Sequence, residues 1–162
     1  MKPDYPDYFA ELYVAGKLAD AGWNIYFPHR DKGFDFIIGK EISSGWHFHP
    51  VQVKGKFPTT NKKPDKPTFG YVGKLKCLHQ QMILAIAFFP KESRNPCCVG
   101  YMPLNQIRRH SKGYRCEPAK LSNGIPLPRR EYKKFFDESG ISLLDRTDWH
   151  RLTIGDESQG SY

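Results

Sequence analysis

Glu11, Asp35, Gln52 and Lys54 stand where their neighbours call for apolar side chains. Glu11 lies in a helical stretch. Asp35 interrupts "KGFDF", and Gln52 and Lys54 interrupt "VQVKGK". The last two stretches read as strands. Carboxylates, an amide and an ammonium can exchange protons, accept cations and offset negative charge. Placed against a core, such groups cost free energy unless a cation, a metal or a hydrogen bond compensates them.

The elements around them decide whether they meet. With Ser44-Gly45 as a two-residue turn, Ser43 pairs with Trp46 and Asp35 falls opposite Lys54. Residues opposite each other in an antiparallel pair share a face. Gln52 shares that face because strand side chains alternate. Phe34, Phe36, Ile38, Val51 and Val53 take the other face, and a one-residue slip would break the pattern. Residues 7–21 read as a helix ended by Gly22. At about 100° per residue, Leu12, Val14, Ala15, Leu18 and Ala19 form one apolar arc, with Glu11 in its middle. Plainer readings exist for each piece. Asp35 and Lys54 can be a structural salt bridge, and the Glu11 carboxylate can reach water from the edge of the arc. Neither explains Gln52.

Residues 23–27, 34–38, 47–54, 82–89 and 97–102 read as strands. Helices are expected at 74–81, from 104 to 110, and at 129–139. The Pro-, Lys- and Thr-rich stretch 57–68 reads as a mobile loop. The expected fold class is α/β, a mixed central sheet flanked by helices on both faces. A length of 162 residues suits a single domain. Within it, a core spans about 7–107 and a basic C-terminal extension about 108–162.

At this point the residues carry a resemblance. Glu11 on a first helix, then Gly33-Phe34-Asp35, then Val51-Gln52-Val53-Lys54 resembles the PD-(D/E)XK, or restriction-endonuclease-like, nuclease superfamily. The phrase "ELYVAGKLADAGWNIYFPHRDKGFDF" is similar to the opening of its resolvase-like members, and the intron-encoded homing endonucleases are a further related branch. The resemblance covers about 7–56 in residues and 68–107 in element order. It implies a Mg²⁺- or Mn²⁺-dependent endonuclease acting on double-stranded or branched DNA. Asp35 would be the principal metal ligand, Glu11 a direct or water-mediated ligand, and Lys54 the group that polarises water and steadies the phosphate. Gln52 stands where the family usually has an acid. Its amide oxygen can ligate Mg²⁺, as in some members that also carry Gln, but adds no charge. Phosphodiester hydrolysis builds negative charge on oxygen, which a hard cation on oxygen ligands and a nearby ammonium offset. The resemblance also allows a homodimer.

The bulk numbers agree with a polyanion partner. The net charge is +8, and hydrophobic residues make up 39% of the chain. No apolar run reaches the roughly 20 residues of a membrane helix. With no apolar leader, the expectation is a cytoplasmic protein with reduced thiols at its four cysteines. The candidate nucleic-acid contacts are Lys56, Lys62, Lys63, Arg108, Arg109, Arg129, Arg130, Lys133 and Lys134. A solvated charged face is the alternative for this run. His47 and His49 fall on the Val51 and Val53 face and read as structural. Glu41 lies too near the turn to serve Lys54, and the adjacent Cys97 and Cys98 point to opposite sides. Two other functions stay open: a nuclease-like DNA-binding protein with a degenerate site, and a basic RNA- or protein-interaction domain with a structural Asp35–Lys54 pair.

Overall fold

Helix α1 runs over Tyr5–Asp20 in the computed structural model, which describes residues 5–30, 33–57, 71–76 and 78–152. The helix ends in paired C-terminal bonds. Gly22 N donates to Ala19 O at 3.0 Å and Trp23 N to Leu18 O at 3.1 Å. Gly22 has φ 92°, a conformation that glycine adopts without strain. Ala10, Val14, Ala15 and Leu18 are buried, but Leu12 and Ala19, expected in the apolar arc, are exposed. Glu11 is half-buried.

Ten strands follow: β1 (Asn24–Tyr26), β2 (Phe36–Ile42), β3 (Gly45–Lys56), β4 (Tyr71–Gly73), β5 (Ile83–Phe88), β6 (Cys98–Pro103), β7 (Arg108–His110), β8 (Gly113–Arg115), β9 (Ala119–Ser122) and β10 (Ile125–Pro128). The central sheet has the order β1-β2-β3-β5-β6. It is mixed: β3 and β5 are parallel and the other neighbours antiparallel. A second sheet has the order β4-β8-β7, and β9 pairs with β10. The protein is therefore a mixed α/β structure built on a central mixed sheet.

Strand β3 changes partners along its length. Gly45 to Val51 pair with β2, and Val51 to Lys56 pair with β5. The hairpin turn lies at Ser43-Ser44, with Ile42 opposite Gly45. This corrects the expected turn at Ser44-Gly45. Gly45 uses its positive φ of 115° at the first position of the strand rather than inside the turn. The register moves by two residues, so Asp35 is level with Gln52 rather than Lys54. A shift of two preserves which side chains share a face.

Phe36, Ile38, His49, Val51 and Val53 line one buried face and continue into Ile83, Ala85 and Tyr101. Helix α1 covers it, with the Phe9 ring 6.5 Å from Phe89. Helix α2 (Asp137–Leu143) reaches the same face: a Cβ on Gly140 would stand 3.0 Å from the Tyr101 ring. Both α-helices therefore share one face, which corrects the expectation of helices on both. Leu84, Ile86, Phe88 and Met102 are buried on the opposite face. There Cys116, just past β8, lies within the field of Lys56.

Other expected helices are absent from the described residues. In the 74–81 stretch Leu75 is buried and Leu78 exposed, so no apolar helix face exists. Residues 104–110 hold a 3-10 turn, Leu104–Gln106, followed by β7. Residues 129–139 split into a 3-10 segment, Arg130–Phe135, and the start of α2. Phe136 between them is extended (φ −100°, ψ 143°) because it bridges to Gly100. Its ring lies flush on Gly100, where an added Cβ would meet it at 3.1 Å. The 57–68 stretch lies outside the described residues beyond Phe57. No helix among the described residues is long and apolar enough to cross a membrane.

His49 joins the two ends of the chain. It is fully buried, with ring centroids 5.5 Å from Trp23 and 6.3 Å from Trp149. Its Nδ1 lies 2.7 Å from Gln81 O, so Nδ1 carries the proton in the neutral ring. Nε2 is buried without a hydrogen-bond partner among the described residues. Burial, above all, holds the pKa below its usual value of 6.5. The unfolded chain takes up this proton first as pH falls, so stability should drop below about pH 6.5 until the folded ring also protonates. The expected result is a melting temperature that falls from pH 7 to pH 5, with a shallower fall in His49→Leu, whatever that variant's absolute stability. An equal slope in both proteins would assign the effect to other groups.

Candidate active site on the third strand

The site begins where β3 leaves β2. Beyond Val51 the β3 edge has no β2 partner. An unpaired buried N–H is costly, and Asp35 supplies the acceptor. Val53 N donates to Asp35 Oδ2 at 2.6 Å, while Asp35 N donates to Val51 O at 2.9 Å. Asp35, half-buried just before β2, thus binds the backbone of the residue between Gln52 and Lys54. The sequence pattern brings these three residues together, through a bond that strand register alone does not reveal.

Gln52 and Lys54 are half-buried and share the sheet face opposite α1. The Gln52 Oε1 atom is buried and has no hydrogen-bond partner among the described residues. Buried acceptors are almost always satisfied, and an exception calls for an ion, a water or strain. Glu11 lies on α1, which packs on the other face of β3 from Gln52 and Lys54, so the structure brings Asp35, Gln52 and Lys54 together but not Glu11 with them. In projection it falls within the buried stripe between Ala15 and Leu18, on the flank away from Phe9 and Tyr13. On the Gln52 face the structure gathers one carboxylate, one amide and one ammonium. Among the described residues no three His, Cys, Asp or Glu side chains cluster as a metal cage.

Residues set aside from the sequence fall as follows. Glu41 is exposed opposite Trp46. The half-buried His47 lies with Nε2 2.8 Å from Ser44 Oγ. Cys97, Cys98 and Cys116 are free thiols. Burial pushes the Cys116 thiol up to about 12, so it is a poor nucleophile.

The basic run does not form one helix face. Arg108 and Arg109 are exposed on β7, and Arg129 is half-buried beside Glu117. Arg130 and Lys133 are exposed in the 3-10 segment, and Lys134 folds over the Phe135 ring at 5.3 Å. Lys56 continues β3 beyond Lys54. Lys62 and Lys63 lie outside the described residues. Arg115 and Tyr132, within the same basic stretch but not among the candidate contacts named above, share a cavity with Arg108, Arg109 and Arg129. Strand alternation at 108–115 was the available signal, hidden by reading 104–110 as helix. No protein-family model and no curated protein sequence matches the chain.

Two substitutions separate structural from ligand roles. Asp35→Asn keeps an acceptor for Val53 N and should fold normally. Asp35→Ala should lose about 1.5–3 kcal/mol in chemical denaturation, the cost of removing a charged acceptor. Gln52→Leu should change stability by less than about 1 kcal/mol without metal, because it removes an unsatisfied polar atom. Mn²⁺ should then raise the melting temperature of the wild type more than that of Gln52→Leu. A large metal-free loss in Gln52→Leu would show that Oε1 is already satisfied.

Proposed function

We propose that this chain is a metal-dependent DNA endonuclease of the PD-(D/E)XK, restriction-endonuclease-like type. The observation that carries the reading is the buried Gln52 Oε1, without a hydrogen-bond partner among the described residues, on the face of Lys54 and next to Val53, whose N–H the Asp35 carboxylate accepts. Supporting it are the first helix and the antiparallel β1-β2-β3 run, with a further strand parallel to β3. The positive surface suits DNA.

The residues divide the work. Asp35 and Gln52 would hold Mg²⁺ or Mn²⁺, and Glu11, on the helix across the sheet, would reach the cation only past the β3 edge and through water. The bound cation supplies charge neutralisation and a more acidic water. Asp35 is rigid because Val53 N clamps one of its oxygens. Lys54 sits on a strand paired with β5, so its ammonium is poised beside a phosphate rather than swinging from a loop. Its charge favours the extra negative charge of the transition state over that of the ground state.

One observation favours the degenerate, DNA-binding alternative. Asp35 Oδ2 is already engaged by the backbone, and Gln52 adds no charge for a cation. A single assay separates the two. With Mg²⁺ or Mn²⁺, duplex and branched DNA should be cut by wild type, and about 100-fold more slowly by Asp35→Asn and Lys54→Ala. DNA retention without metal-dependent cutting by wild type would establish the binding protein instead. Wild-type cutting by both variants would remove these residues from the site.

A further inference from the structure

A cavity of about 430 Å³ is walled by Arg108, Arg109, Arg115, Arg129, Glu117 and Tyr132. Its construction is costly. Arg108 stands directly opposite Arg115 in the β7–β8 pair, and like charges in that position repel. Packing does not require either guanidinium, since both residues are exposed. Glu117 partly offsets the repulsion, with its carboxylate 4.0 Å from Arg115 Nη2 and 3.7 Å from Arg129 Nη2. Arg129 Nε also donates to Glu117 O at 3.1 Å, which fixes that guanidinium in the wall. Four arginines and one glutamate among the lining residues give a formal charge of +3.

Guanidinium groups match phosphate oxygens with paired donors, and several around a concave site favour an anion of high charge. A phosphate within a strand carries a single charge. A terminal phosphate carries about −1.5 to −2 and presents three oxygens. A terminal group enters a cavity on a single arm of chain, whereas an internal phosphate must bring two. The wall residue Cys116 lies within the field of Lys56, two positions beyond Lys54 on β3, so the cavity opens near the far end of the candidate site.

We infer that this cavity binds the terminal phosphate of a nucleic-acid strand. The strand as ligand rests on the nucleic-acid reading above, whereas the affinity for a phosphate dianion does not.

Two measurements without metal test the inference. In thermal unfolding, inorganic phosphate should raise the melting temperature of wild type above that in chloride of equal ionic strength. Arg108→Gln and Arg115→Gln should lose this increment. Arg108→Gln should melt at or above wild type in chloride, because it relieves the cross-strand repulsion, and this shows that it folds. In anisotropy titrations, a short duplex bearing phosphate at its 5′ or its 3′ ends should bind about tenfold tighter than the same duplex with hydroxyl ends. Either variant should erase the preference. A phosphate increment that survives both substitutions overturns the site. An arginine-dependent increment with equal affinity for phosphorylated and hydroxyl ends overturns the strand end as ligand. Failure of the nuclease reading appears differently, as end-dependent binding with no metal-dependent cutting.

Discussion

The change of partner along β3 is the constraint on which the rest depends. A strand bonded to β2 over its first half and to β5 over its second leaves backbone donors open at the crossover. Asp35 fills one of them through Val53 N. The aspartate is therefore part of the sheet before it is part of any site. Because the bond lands between Gln52 and Lys54, closing the sheet also assembles the polar cluster. The same strand buries His49, Val51 and Val53 under α1 and turns Gln52, Lys54 and Lys56 the other way.

The C-terminal half is built into this arrangement. Phe135, Phe136 and Trp149 belong to the same buried cluster as Val51 and Ile83. Phe136 bridges to Gly100, its ring occupying the space a Cβ would need. Asp137 Oδ1 accepts from Val99 N at 2.9 Å, which ties the start of α2 to β6. Trp149 reaches His49 and donates to Met82 O at 3.4 Å. Tyr114 of β8 and Ile107, just before β7, pack against the same buried core.

Positive charge is distributed unevenly as a result. Lys134 packs on an aromatic ring and Arg129 on Glu117, while Arg108 and Arg115 face each other at a cost. A solvated surface has no reason to hold like charges opposite each other. A surface selected to receive an anion does, because the repulsion is released when the anion enters.

The sequence by itself determined the opening helix, the antiparallel hairpin and the sharing of one face by Gln52 and Lys54. Alternation and helical spacing are local properties, and the face assignment survived the two-residue register error because a shift of two preserves parity. It also marked His49 as a structural residue, since its position follows the apolar side of β3. Only the tertiary structure decided the rest. The 129–139 stretch has helical composition but breaks at Phe136, because pairing with Gly100 outweighs local propensity. Residues 108–115 form a hairpin because β4 lies alongside β8, a partner distant in sequence. The Asp35 bond to Val53 and the orphaned Gln52 oxygen depend on where β2 stops pairing, and the gathering of the arginines depends on how the second sheet sits. Each of these is a contact between segments far apart along the chain, and local residue patterns carry no record of such contacts.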